Sequence, residues 1–433
     1  MNDQEEILLR QRRWNSKRFF LFYWVAIMFL GTGFAIGLGS TVLNPKYSYD
    51  ATAAHPTYPG TWHPEDCATC HPSQVEKWNE TAHSHSARQV NSTHVEIAGS
   101  RNVTQAQFDS SCGHCMATGW DNSTGTVTYW DYAVTCAACH ETPGVTNHTA
   151  ENCGNCHTGS HHPQYPDYNK SAHKNSYDDL LGSGHAGDSC LHCMSGQGTY
   201  MEGLTLDDTF LTGVSCATCH DPHDATNELQ LREADINELC GDCHGTSSRH
   251  TTYEMFTDTA NKHNSLDCTD CHGYQLHGDE SQVNHTWVVT TDSCSQCHTD
   301  NATRWAQMES IQGDIEDLLT EFDTQLDNVT AKVNEANTTY GISNTAVNES
   351  YVLIDEAESL VMFVESDMSL GFHNPTLAEE KVKLALLKLD EAYAKAEAAG
   401  EAESKVSPGF GLVTLLAAIS LLSVAVLLRR KKR

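Results

Sequence analysis

The sequence predicts a mainly α-helical chain with much irregular loop. A cysteine-punctuated core comes first, a C-terminal helical bundle follows, and two membrane-spanning segments flank them. Three observations predict this. All eighteen cysteines fall into nine Cys-x-x-Cys pairs set in sequence rich in Gly, Asn, Asp, Ser and Thr, a composition that favours turns and short helices over sheet. Beyond residue 300, apolar residues recur at alternating steps of three and four, the period of an amphipathic helix. Two uncharged apolar runs, Phe19 to Leu43 and Phe410 to Leu428, are 25 and 19 residues long. A bilayer crossing takes about 20.

In chain order, residues 1–18 form a basic tip, 19–43 the first membrane segment and 44–66 a polar linker. Residues 67–300 form the cysteine-bearing domain and 301–399 a helical subdomain. Residues 400–409 are a linker and 410–433 a second membrane segment. In the subdomain the apolar row Ile311, Ile315, Leu318, Phe322, Leu326, Val329, Val333 and Ala336 predicts a first helix. Helices over about 348–367 and 376–399 follow, separated by Gly371-Phe-His-Asn-Pro375. Three helices of this length pack on one another or on the preceding domain. A dimer seam along the first, which would make the chain a homo-oligomer, is the alternative.

Seven Cys-x-x-Cys pairs are followed at once by histidine: Cys67-Cys70-His71, Cys136-Cys139-His140, Cys153-Cys156-His157, Cys216-Cys219-His220, Cys240-Cys243-His244, Cys268-Cys271-His272 and Cys294-Cys297-His298. Zinc ribbons and redox dithiols also use paired cysteines, but neither needs that histidine. Cys-x-x-Cys-His is the attachment signature of c-type haem, so the domain reads as a multihaem cytochrome c core. The remaining pairs are Cys112-Cys115-Met116 and Cys190-Cys193-Met194. Thioether attachment needs only the cysteines, and methionine sulfur is an axial ligand that raises haem potential. The expected cofactor is covalent haem c: seven on the histidine motifs, nine if the methionine motifs are loaded. His114 and His192, inside the methionine motifs, read as incidental.

Of 25 histidines, eighteen remain for the distal side of the irons. His83 (or His85) follows Trp78 in a W-N-E-T-A-H run, and His173 ends a similar N-K-S-A-H run. His148 follows His140, His161 and His162 follow His157, and His223 lies in C-H-D-P-H. His277 and His373 complete the preferred set, with His185, His250, His263 and His285 as further options.

Net charge is −31, and between the basic ends, which hold five Lys/Arg at 1–18 and five at 429–433, the chain is more acidic still. Such a surface repels nucleic acid. The flanking basic residues put both tips in the cytoplasm and everything between outside, at the cell membrane. Eleven Asn-x-Ser/Thr sequons, at Asn79, Asn91, Asn102, Asn122, Asn147, Asn169, Asn284, Asn301, Asn328, Asn337 and Asn348, agree with a glycosylated outer surface. Ser407-Pro408-Gly409-Phe410, the apolar run and Arg429 to Arg433 resemble the Pro-Gly-Phe sorting tail of archaeal surface proteins. That resemblance implies an archaeal cell-surface protein.

Several runs resemble the multihaem superfamily of hydroxylamine oxidoreductase, octahaem tetrathionate reductase and ammonia-forming cytochrome c nitrite reductase. They are CATCHPSQVEKWNETAH from Cys67, CGHCMATGW with VTCAACHETPG, CGNCHTGSHHPQYPDYNKSAH from Cys153, and CLHCMSGQGTY with GVSCATCHDPH. The helical end with SLGFHNP resembles the C-terminal helices of the nitrite reductase, which implies that His373 is a haem ligand. Two departures stand out: no pair is followed by lysine, as the nitrite reductases' catalytic haem motif requires, and their Tyr/His catalytic run is absent. The expected function is therefore respiratory electron transfer through a chain of haems, between a membrane quinone or phenazine pool, or other cytochromes, and an outside acceptor. The alternatives are a nitrite or hydroxylamine oxidoreductase with one open haem, and a structural haem filament.

Overall fold

The computed structural model describes residues 63–98, 101–121, 126–127, 133–140, 149–159, 162–245, 250–274 and 283–405. Both apolar runs, the sorting-tail sequence, His148, His161 and His277 lie outside these residues. Among the described residues no helix is long and apolar enough to cross a membrane.

The cysteine-bearing part is built of short helical turns joined by loops. In four motifs both cysteines sit on one helical element: Cys136–Cys139, Cys216–Cys219, Ile236–His244 and Cys268–His272. The turn closes when the histidine backbone N–H donates to the first cysteine's carbonyl, for example His140 to Cys136 at 2.8 Å and His220 to Cys216 at 2.9 Å. This i to i−4 bond fixes the histidine directly after the two sulfurs.

Sheet is the departure from the sequence expectation: a two-residue ladder pairs Trp120–Asp121 with Thr126–Val127, and a larger sheet precedes it. Strands β1 (Ala87–Asn91), β2 (His94–Ile97) and β3 (Arg101–Thr104) form an antiparallel meander. Val95, Ile97 and Val103 alternate inward onto Phe108, with Cys112 and Met116 against the same cluster. Asn91 makes the first turn by accepting from Thr93 N–H at 2.9 Å. The polar, turn-forming residues that argued against sheet are the connections and outer faces of this meander.

After residue 300 come α1 (Asn301–Tyr340), α2 (Thr345–Glu365) and α3 (Pro375–Lys405). Helix α1 begins ten residues before the apolar row does. No breaker lies between His298 and Ile311, and the first turns pack beside the turn Thr291–Gln296. The inward residue of α1 is Leu319, not Leu318, which is half-buried. In α3 the buried residues Ala378, Val382, Ala385, Leu389, Ala392, Ala396 and Ala399 alternate steps of four and three. In α2, Val347, Ser350, Ile354, Ala357, Val361 and Val364 do the same. This is heptad packing within one chain, and the small alanines let the helices approach closely. Ser350 Oγ donates to the Ala392 carbonyl at 3.0 Å, and Lys395 pairs with Glu349 at 2.7 Å, which sets α2 antiparallel to α3. Leu389 is fully buried. Its replacement by alanine is expected to cost about 3 kcal/mol through lost burial and a cavity, read as a lower denaturation midpoint of the helical signal; an unchanged midpoint would contradict this packing.

Candidate cofactor-binding site

The nine motifs are joined through their sulfurs. These thiols stand in for the thioether sulfurs of a haem-loaded chain. Cys67 contacts Cys136, and Cys139 lies beside Cys153. Cys153 contacts Cys216, and Cys219 lies beside Cys240 and Cys243. Cys240 contacts Cys268, and Cys271 lies beside Cys294 and Cys297. The seven histidine motifs thus form one unbroken row in chain order. The two methionine motifs attach to its side, Cys115 against Cys156 and Cys193 against Cys243. Cys70 and Cys297, in the terminal motifs of the row, are the two exposed cysteines.

Six motif histidines face a second imidazole. The ring centroids are 6.0 Å apart for His140 and His223, 6.2 Å for His157 and His83, and 6.4 Å for His220 and His285. They are 6.1 Å apart for His244 and His173, 6.1 Å for His272 and His373, and 6.4 Å for His298 and His263. Two imidazoles on opposite sides of one metal, each nitrogen about 2 Å from it, place their centroids about 6 Å apart. The residues therefore fit haem: the paired cysteines would hold its edge and the facing histidines its iron. Of His83 and His85, His83 faces His157. His162 also lies 5.9 Å from His157, and His250 lies 6.4 Å from His244.

An internal repeat decides between these neighbours. His83, His173 and His263 stand 90 residues apart, and each faces the first histidine of the next unit: His157, His244 and His298. The repeat continues in the hydrogen bonds. Ser86 Oγ donates to the Met116 carbonyl at 3.0 Å and accepts from Val134 N–H at 3.1 Å. Ser176 Oγ donates to the Met194 carbonyl at 3.0 Å and accepts from Val214 N–H at 2.9 Å. In the third unit the chain runs from His263 straight to Cys268 with no methionine motif between. The methionine motifs are thus inserted segments, which explains their place beside the row.

The imidazoles are prepared for a metal. Burial pushes the pKa of His157 and His244 down to about 4, and burial lowers His83, His173, His220, His263, His272 and His285 as well. These rings are neutral at neutral pH, with a lone pair to donate. Nδ1 of His220 donates to the Leu229 carbonyl at 2.8 Å, and Nδ1 of His272 to the Trp287 carbonyl at 3.0 Å. Leu229 and Trp287 both hold positive φ, 55° and 57°. A strained backbone thus aims each carbonyl at the ring and leaves Nε2 for the iron. Asn237 links consecutive motifs by donating to the Leu266 carbonyl at 2.9 Å and accepting from Cys268 N–H at 2.8 Å.

His192 meets the Gly198 carbonyl at 3.2 Å through Nδ1 and Asp242 at 3.1 Å through Nε2, so neither nitrogen is left to ligate an iron. Its closeness to Cys193 and Cys243 reflects two abutting attachments. Met116 and Met194 each pack against an apolar cluster. Sequence reasoning left His263 and His285 unranked, although the 90-residue interval marks the first of them.

Residues 235–408 match a family model described as cytochrome c552, residues 210–249 a doubled CXXCH motif, and residues 66–141 cytochrome c554 and c-prime. The chain is a multihaem c-type cytochrome. It binds haem c covalently. No curated protein matches it. The crystal structure of the outer cell wall cytochrome OcwA shares its fold at 21% identity and a TM-score of 0.57, over 75% of this chain and 99% of that one. Cytochrome c nitrite reductase from Desulfovibrio desulfuricans ATCC 27774 is 16% identical, over 57% of this chain and 73% of that one, with a TM-score of 0.42.

Proposed function

We propose that this multihaem cytochrome is an electron conduit anchored in the membrane, with its haem-bearing part outside the cell. The observation that carries the proposal is the unbroken row of seven histidine motifs with Cys70 and Cys297 exposed in its terminal motifs. Haem, when bound, supplies reversible one-electron chemistry at iron. The chain's part is spacing, ligation and exclusion of water. The motif turns set the interval between attachment points. His83, His173, His223, His263, His285 and His373 would be the distal ligands opposite His157, His244, His140, His298, His220 and His272. Met116 and Met194 would ligate the two side haems and hold them at higher potential. The partners that fit are a quinone or phenazine pool or other cytochromes at the membrane, and an oxidant or reductant outside.

Film voltammetry of the purified protein tests this reading. A reversible multi-electron wave that nitrite and hydroxylamine leave unchanged is expected. A catalytic current with either substrate would contradict it and assign the chain to the oxidoreductases instead. The outside location has its own test, glycopeptide mapping in the native host. Sugar is expected on the exposed sequons Asn79, Asn91, Asn102, Asn328 and Asn348, and none on Asn284, which is 3% exposed. Bare asparagine at all the exposed sites would count against that location.

A further inference from the structure

Three distal histidines occupy equivalent places, following the motifs at Cys136, Cys216 and Cys268, yet their Nδ1 atoms meet different partners. His285 donates to the Val283 carbonyl at 2.8 Å, a neutral acceptor. His223 lies 3.4 Å from a part-exposed Asp221, whose other oxygen is 3.4 Å from Arg232. His373 donates to Asp367 at 2.6 Å, and the Asp367 side chain is fully buried.

The loop that presents this pair is tightly constrained. Met368, Leu370 and Gly371 all hold positive φ, at 62°, 51° and 76°. A Cβ on Gly371 would meet Ala378 Cβ at 2.8 Å and Ile315 Cγ1 at 3.0 Å, so only glycine fits there. Ser369 Oγ donates to the other Asp367 oxygen and accepts from His373 N–H at 3.0 Å. Thr252 Oγ1 donates to the Asp367 carbonyl at 2.9 Å, and Gln312 Nε2 to the Ser369 carbonyl at 3.0 Å. Strain of this kind persists only where the surroundings over-determine it.

We propose that Asp367 is a positioning residue that makes the haem attached at Cys268 and Cys271 the hardest of the row to reduce. The inference rests on the His272–His373 axial pairing proposed above. A carboxylate that accepts the Nδ1 proton raises the basicity of the ring and strengthens its donation to ferric iron. In a buried site the charge is little screened, so its effect exceeds that of a carbonyl or of the Arg232-paired Asp221. The helical bundle acquires a role from this. It delivers a buried negative charge to the motif next to the row's Cys294–Cys297 end.

The test is a potentiometric titration of the holoprotein with ferric EPR. Asp367→Asn is expected to move the lowest-potential component upward and leave the others in place, while Asp221→Asn moves its own component less. Ser369→Ala keeps the carboxylate but removes a hydroxyl that disperses its charge, and is expected to move the same component further down. This opposite sign keeps the proposal testable if Asp367→Asn fails to load haem. His373→Ala separates the two readings. If it leaves every haem low-spin, the axial pairing fails. If it produces one high-spin haem while Asp367→Asn or Ser369→Ala leaves the titration unchanged, the pairing stands and the role of Asp367 is overturned.

Discussion

Replacement of Cys153 and Cys156 by serine is expected to divide the row in two. Cys153 contacts Cys216, Cys139 lies beside Cys153, and Cys156 contacts the methionine motif through Cys115. No other sulfur contact joins the motifs at Cys67, Cys112 and Cys136 to the rest among the described residues. With a photoreductant attached beside Cys297, the haems of those three motifs are expected to lag far behind the others in transient absorbance. The matching double serine variant of Cys190 and Cys193 removes a side motif, so every remaining haem should be reduced as fast as in the parent. Equal rates in both variants would refute the row, because the first breaks it and the second does not.

The second large effect is expected when haem attachment is blocked altogether. Chain produced without haem is expected to keep the bundle of α1, α2 and α3 and to lose ordered structure from about residue 67 to residue 298. The bundle has a core of its own, running from Ile315 to Ala399. Among the described residues the motif-bearing part has small clusters, such as Phe108 with its strand residues and Leu191 with Leu180 and Leu211. A segment with so little buried apolar surface cannot offset its loss of conformational entropy without the cofactor. Limited proteolysis of haem-free chain should release a resistant helical fragment from the C-terminal part. Equal resistance along the whole chain would contradict the cofactor's place in the core.

The sequence made the attachment points and the helical end legible for a simple reason: each is a local pattern. Cys-x-x-Cys-His specifies its own turn, and steps of three and four specify a helix face. What depends on residues distant in the chain was harder to read. His83 and His173 could be singled out because both end an Ala-His run, whereas His263 follows lysine and shares only their 90-residue interval. The inserted methionine motifs disturb the cysteine spacing and so conceal that interval. His285 has no neighbouring pattern at all, and its role emerges only where it meets His220. His373 was reached through resemblance, but its buried partner Asp367 was not, since an acidic residue in an acidic chain carries no signal. The meander β1–β3 was missed because its inward residues, Val95, Ile97 and Val103, are few among turn formers.

The most direct test of the account is a pyridine haemochrome count combined with quantitative EPR of the ferric protein. Six motif histidines, at 140, 157, 220, 244, 272 and 298, face a second imidazole, so low-spin bis-imidazole haem should amount to at least six per chain. Protein without covalent haem, or with fewer than six low-spin haems per fully loaded chain, would contradict it.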